Sequence, residues 1–437
     1  MKLQLNPHRV AVLSLGVTAA CLPLYVVRWH YGPLPTTLLE TLIGITVLTY
    51  LATLWSEKRL PRARTPLDIP IGLLLLAGVI SVIDAPSQVT ALGIYRAYFL
   101  EAIAMYYIAV DLLRDRRDIT TFLVIMGAGI AVYATGQIVS FLGAVGNHHL
   151  NLSAAPAFLN TSPNDDAMYL EPALAFAVGF ALFPSRPRER WIAAALGALI
   201  LAGVIVAFSR GAYLAIAILA LVLVFGAQSP RWRLRALGVI AVLGLILIEI
   251  PFVNRRFLTL ADSVTNRESL YRQALQMLSH MPITGAGISG FPIRVAPYRP
   301  QGQIIHIYPH DLWLTTWSEL GLLGLIAFAV ILIGLIWRGA RALPSSADIA
   351  RPLLWGSVGA AILIAVHGLF DSPYWKNDLS VEFWLVAALQ VVALRSRRLA
   401  RTDAEGAARP QAPELILEDD ARLRRGADQG QREVQRP

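Results

Sequence analysis

Residues 186–235 read RPRERWIAAALGALILAGVIVAFSRGAYLAIAILALVLVFGAQSPRWRLR, and this stretch decides the fold. One arginine triplet, Arg186, Arg188 and Arg190, stands at its start and a second, Arg231, Arg233 and Arg235, at its end. Between them Trp191–Phe208 and Ala212–Ala227 are almost wholly apolar, parted by Ser209-Arg210-Gly211. A single helix through both runs, at about 1.5 Å per residue, would far exceed a hydrocarbon core roughly 30 Å thick. Arginine clusters mark the cytoplasmic ends of membrane spans. The chain must therefore cross outward, turn tightly as a hairpin at Ser209-Arg210-Gly211 and cross back. Runs of this length without alternation also exclude a transmembrane β-barrel.

The same reading extends along all 437 residues, of which 56% are hydrophobic and 15% charged, against roughly 25% charged in soluble domains. The chain is expected to be an all-α polytopic membrane protein with about twelve transmembrane helices, near 10–27, 34–54, 67–83, 93–111, 119–143, 167–183, 191–208, 211–227, 236–253, 312–337, 353–370 and 380–394. Sorting the 38 Lys and Arg residues by alternate loop puts 28 of them on one side, including ten arginines after residue 394. The positive-inside rule then makes both termini cytoplasmic. The net charge of +9 is thus an orientation signal, and no nucleic-acid partner is implied. Cys21 is the only cysteine, which excludes an intrachain disulfide and a cysteine zinc site. Lys2, Arg9 and the small residues before Cys21 imitate a signal peptide, but many more spans follow.

On this topology one long segment, 254–311, faces outward between the ninth and tenth spans, with a second of medium length at 144–166. Loops between packed helices usually have two to eight residues, so the long segment is an insertion with its own structure. Thr265-x-x-Glu268 has the capping-box form, and Leu270, Ala274, Met277 and Leu278 recur at helical spacing before Pro282. An amphipathic helix over 266–280 follows, lying at the outer membrane face. The chain divides into a transmembrane domain, 1–394, and a charged cytoplasmic tail, 395–437, expected to be disordered.

Three residues on the outward side attract attention. Arg210 sits at the hairpin tip, at the start of a helix that Ser209 can cap; such a terminus favours anions, and guanidinium grips phosphate oxygens bidentately. The other reading is a cation that snorkels to headgroups. Arg267 is placed in the first turn of the helix capped by Thr265, where it opposes the helix dipole unless an anion intervenes. His310 enters the tenth span in Tyr308-Pro309-His310-Asp311-Leu312-Trp313, and an imidazole there could take a proton from a hydroxyl. Asp311 adjoins it but points elsewhere on a helix, Pro309 breaks the path to His306, and Glu319 lies half a rotation away. His148-His149, Asp165-Asp166, His367 and Asp371 are further ionisable groups near this face, where function and packing are equal readings. For Arg255, Arg256, Arg272, Arg294 and Arg299, headgroup or solvent contact is the expected role. Span interiors are otherwise poor in charge, unlike those of a secondary transporter or flippase, the reading from another class.

Taken together, Phe208-Ser209-Arg210-Gly211-Ala212-Tyr213-Leu214, Asn266-Arg267-Glu268 through Tyr271 to Pro282-Ile283-Thr284-Gly285-Ala286-Gly287, and Pro309-His310-Asp311-Leu312-Trp313-Leu314 through Glu319-Leu320-Gly321-Leu322-Leu323-Gly324 resemble the O-antigen ligase and O-antigen polymerase family. Asn160-Thr161-Ser162-Pro163-Asn164 and His367-Gly368-Leu369-Phe370-Asp371 look like further family positions. The resemblance implies a bacterial inner-membrane glycosyltransferase, independent of metal or cofactor and acting in lipopolysaccharide or other cell-surface polysaccharide biosynthesis. It would move a glycan from an undecaprenyl-diphosphate carrier to an acceptor hydroxyl at the periplasmic face, either lipid A-core in a ligase or a growing glycan in a polymerase. On the same resemblance, Arg210 and Arg267 engage the diphosphate, His310 is the base, and Asn164 and Asp371 are substrate-binding. Asp311 departs from the Asn that the ligases often place after the histidine.

Overall fold

A computed structural model describes residues 6–32, 34–61, 64–148, 156–160, 162–226, 234 and 260–408. Helices dominate: α1 Pro7–Ala20, α2 Leu38–Ser56, α3 Asp68–Asp84, α4 Gln88–Tyr95, α5 Ala102–Leu112, α6 Arg116–Gly146, α7 Pro163–Leu182, α8 Pro187–Val206, α9 Arg210–Gly226, α10 Leu260–His280, α11 Phe291–Arg294, α12 Leu312–Ala342, α13 Ala350–His367 and α14 Asn377–Ala408. A single antiparallel hairpin, β1 Arg28–Tyr31 with β2 Leu34–Thr37, is the only sheet among the described residues. Helices begin where short polar side chains satisfy the free backbone N–H groups of a first turn. Thr37 accepts from Glu40 N at 3.1 Å, Asp115 from Asp118 N at 2.8 Å, Ser162 from Asp165 N at 3.3 Å and Asp311 from Leu314 N at 2.7 Å.

Each expected span coincides with helix except 236–253, which lies outside the described residues. The fourth falls in a continuous helical run in which one π-helical turn, Arg96–Glu101, joins α4 to α5. Six described helices, α2, α6, α8, α12, α13 and α14, are long and apolar enough to cross a membrane, so the chain is a multi-pass membrane protein. Their outward faces carry large apolar side chains, Leu48 and Trp55 on α2 and Ile326, Val330, Ile333 and Trp337 on α12, the inverse of a water-soluble surface. The others are shorter or, like α7, hold acidic residues, and about twelve crossings is proposed rather than counted from them. Residues 1–394 form one compact unit and 395–437 a second. Helix continues to Ala408, while the expected disorder over 409–437 falls outside the described residues.

The core of the first unit packs α7 between α8 and α13, α1 against α2 and α6, and α12 against α3 and α13. The turn after α8 is short, but α9 leans on α13 and α7 rather than running along α8, so the expected hairpin opens into a splayed corner. Ion pairs collect at the arginine-rich end. Arg114 grips Glu57 with two bonds of 2.8 Å, Arg59 reaches Asp111 at 2.8 Å, Arg116 holds both Glu189 (2.9 Å) and Asp348, and His8 meets Asp118 at 2.9 Å. The hydrogen bonds from Arg114 outweigh burial and hold the Glu57 carboxyl down at about 2. Contacts at the opposite helix ends are a different set: Arg96 with Glu40 at 2.9 Å, Arg294 with Asp84 at 2.8 Å, and Leu312 N donating to Gly368 O at 2.6 Å. Thus α2, α3, α12 and α13 each run from one end to the other, and consecutive helices alternate in direction. With Cys21 replaced by serine, a cysteine at Asp348 and one at Gln301 are expected to react with an impermeant maleimide from opposite sides of sealed vesicles. Labelling of both from the same side would overturn the alternation.

Candidate functional site

The corner between α8 and α9 is built to hold one arginine. Phe208 takes a left-handed backbone, φ 51°, which is costly for a bulky side chain and recurs at functional sites. Ser209 Oγ accepts from Ala212 N at 3.3 Å, capping α9 as its sequence position predicts. Arg210 is then the first residue of α9, and Gly211 lies flat on the ring of His367. A Cβ there would come within 2.7 Å of the His367 Cδ2 and Nε2 atoms, so only glycine permits the approach. His367 is itself fixed from beneath, its Nδ1 donating to Glu171 Oε1 at 2.9 Å with both side chains buried.

A few residues further along the same strap, Asp371 gathers groups from three parts of the chain. One oxygen, Oδ1, accepts from His310 Nδ1 at 3.1 Å and from Ser372 N at 3.0 Å; the other, Oδ2, accepts from Asn164 Nδ2 at 3.0 Å. Burial opposes its ionisation, but the hydrogen bond from His310 and the charges of His310, His367 and Arg267 prevail and hold the carboxyl at about 2. His310 has φ 56°, again left-handed, while 35% of its side chain stays exposed, so the ring is both constrained and reachable. Asp311 is the cap of α12 and has no orienting role toward His310. The rings of His306 and Tyr308 lie 5.3 and 5.5 Å from that of His310. Burial and then the neighbouring His310 lower the pKa of His306.

Arg267 comes from α10 and faces the same cluster, close enough to bias both Asp371 and His367. It also donates to the Tyr271 hydroxyl, which sits between the carbonyl oxygens of His310 (3.2 Å) and Leu369 (3.1 Å). Burial pushes the Tyr271 phenol up to about 12, so it remains a donor across the neutral range. The expected start of this helix is corrected. α10 is already helical at Leu260, so Thr265 is not its cap, Arg267 is two turns inside, and the dipole repulsion expected of a first-turn cation does not apply. What holds Arg267 is its tyrosine and the buried carboxylate opposite. A groove of about 670 Å³ opens beside it, lined by Arg267, Glu268, Tyr271, Arg272, Leu275, Gln276, Ser279 and Phe370, most of them polar residues that present mainly their carbon atoms to it.

The segment after α10 locks this helix to the one that follows His310. α12 is broken at Gly321, whose φ 69° and ψ −174° are open essentially to glycine alone. The backbone groups freed by the break are taken up by the incoming segment: Ala286 N donates to Ser318 O at 2.5 Å and Leu322 N to Ile283 O at 3.0 Å. Glu319 accepts from Ser289 N at 2.5 Å, so it faces a neighbour other than His310, as its half-rotation offset predicts.

The structure therefore brings His310, Asp371, Asn164 and Arg267 into one cluster and sets the Arg210 corner against it through Gly211 and His367. Asp165 and Asp166 are tied up locally, by Lys376 and by Tyr133 with Phe158 N at 3.1 Å. Arg272 pairs with Glu268 and Arg294 with Asp84, whereas His149, Arg255 and Arg256 lie outside the described residues. Tyr271 went unread as a site residue, although its i, i+4 spacing from Arg267 signals a shared face. Span interiors also prove richer in charge than expected. Glu171 and Glu382 are fully buried, and Glu171 pairs with a histidine 196 residues away; Asp378, also buried, stands at the start of α14 near Lys376.

A family model described as O-antigen ligase covers this region. Residues 193–329 match the O-antigen ligase family. No curated protein matches the chain. The matched segment contains Arg210, Arg267, Tyr271 and His310, while Asn164, His367 and Asp371 come from chain beyond it. The match supports a membrane enzyme with a glycan-transfer role in cell-surface polysaccharide biosynthesis. Because the folded Asp371 carboxyl lies near 2 and an unfolded one near 3.9, the stability it contributes is present above about pH 4 and lost as pH falls toward 2. Thermal midpoints measured against pH are expected to drop through that window in the parent and to lose that component of the drop in Asp371→Asn, which is also less stable at pH 7.

Proposed function

We propose that this matched segment, with the strap that carries Asp371, transfers a glycan from an undecaprenyl-diphosphate carrier to an acceptor hydroxyl at the periplasmic face of the inner membrane. The observation that carries the reading is the hydrogen bond between His310 and a buried, ionised Asp371. A carboxylate on Nδ1 fixes the tautomer and leaves Nε2 as the basic nitrogen, the arrangement a general base needs. His310 Nε2 would remove the proton from the acceptor hydroxyl as its oxygen attacks the anomeric carbon. The bond to the diphosphate breaks in the same displacement, and Arg210 and Arg267 would neutralise the charge growing on the departing phosphate. Asn164 holds the far oxygen of Asp371 and so acts in this scheme by keeping the carboxylate turned toward His310, rather than by touching the substrate. The groove beside Arg267, its surface mostly carbon, suits the lipid end of the carrier.

Removal of a general base typically costs about 10²–10⁴-fold in rate. His310→Ala is accordingly expected to lose at least the lower figure in transfer from a lipid-linked donor in membranes, with donor binding retained. Arg267→Ala should instead weaken both binding and turnover, because a diphosphate contact is present in the ground state and strengthens as charge grows on the leaving phosphate. Unchanged transfer by His310→Ala would refute the base assignment. A strain lacking the protein is expected to accumulate glycan polymer on the carrier if the acceptor is lipid A-core, and single repeat units if the enzyme polymerises.

A further inference from the structure

The strap just before His310 has two unlike faces. Residues 303–306 have no regular secondary structure and the chain bends at 307–308. His306 and Tyr308 turn inward, their rings packed near that of His310. Ile305 and Ile307, by contrast, are 62% and 63% exposed, with Ile304 beside them at 75%. Three bare isoleucines within four residues are unusual on any surface that meets water.

The level of this strap is fixed by backbone contacts. Leu312 N donates to Gly368 O, so the start of α12 stands level with the outer end of α13. α13 has 18 residues, and a helix of that size is about 27 Å long, close to the thickness of the hydrocarbon layer. His310 is two residues from Leu312, and its ring contacts keep the strap from rising away from that boundary. Exposed Ile283 lies on the same side of the molecule, its carbonyl bonded to Leu322 N within the first turns of the apolar helix.

We propose that Ile304, Ile305 and Ile307 enter the outer leaflet of the bilayer, so that the strap is an interfacial anchor with lipid acyl chains on one face and the His310 cluster on the other. The occupant is lipid because the strap is held at the hydrocarbon boundary and continues directly into a membrane-crossing helix. The placement does not depend on the reaction assigned to His310. It is tested on the full chain with Cys21 replaced by serine, carrying bimane on a single cysteine at 304, 305, 307 or, as a water-exposed control, 301. In vesicles of phosphatidylethanolamine and phosphatidylglycerol, bimane at 304, 305 and 307 should be quenched severalfold more by a doxyl group near the lipid headgroup than by aqueous iodide. The order should reverse at 301. Iodide quenching at 305 and 307 equal to that at 301 would overturn the proposal, as would shielding from both quenchers, which would mean that protein covers the strap.

Discussion

A carboxylate buried at a membrane boundary is stable in its charged form only where several donors converge on it, and Asp371 imposes that condition on everything around it. Its donors come from three separate elements: His310 before α12, Asn164 at the start of α7 and the backbone of its own strap. None of these can move away without leaving a charge unpaired in a poorly solvated place. The left-handed backbone at His310 is explicable on the same ground, since the strain is small beside the cost of an orphaned carboxylate.

The surrounding architecture brings Arg267 close enough to act on that carboxylate and sets the corner bearing Arg210 against His367. Arg267 is steered by Tyr271, whose hydroxyl also spans the carbonyls of His310 and Leu369. Arg210 is placed by a corner that rests on His367, and His367 in turn rests on Glu171. The break at Gly321 lets the segment after α10 splice into α12, so the helix bearing Arg267 and the helix following His310 share one backbone network. Arg267 at the edge of a groove whose surface is mostly carbon suits a ligand with a charged head and a long apolar body.

Much of this was legible in the sequence, and the residues show why. The arginine triplets around Trp191–Ala227 fix the turn at Arg210, because charge cannot rest in hydrocarbon and the interval is too long for one crossing. Ser209 reveals itself as a cap because capping is a local property of a few neighbouring residues, whereas Asp311, read as a helical neighbour of His310, proves to be the cap of α12. What escaped is non-local. Asp371 was visible as a polar group near the outer face, but its pairing with His310 across 61 residues depends on how α12 and α13 pack. The start of α10 was misplaced because the capping-box pattern at Thr265 is satisfied equally well by residues inside a longer helix. Buried Glu171 and its partner His367 likewise make sense only once two distant helices are in contact.

The central claim is that Asp371 acts through His310, and a double-mutant cycle tests it most directly. Transfer rates from a lipid-linked donor would be measured for the parent, His310→Ala, Asp371→Ala and the double variant, each checked for insertion and monodispersity. If the carboxylate works by fixing the imidazole, the double variant is no slower than His310→Ala alone. Losses that multiply, with the double variant slower than the parent by the product of the two single losses, would show two independent functions and contradict the account.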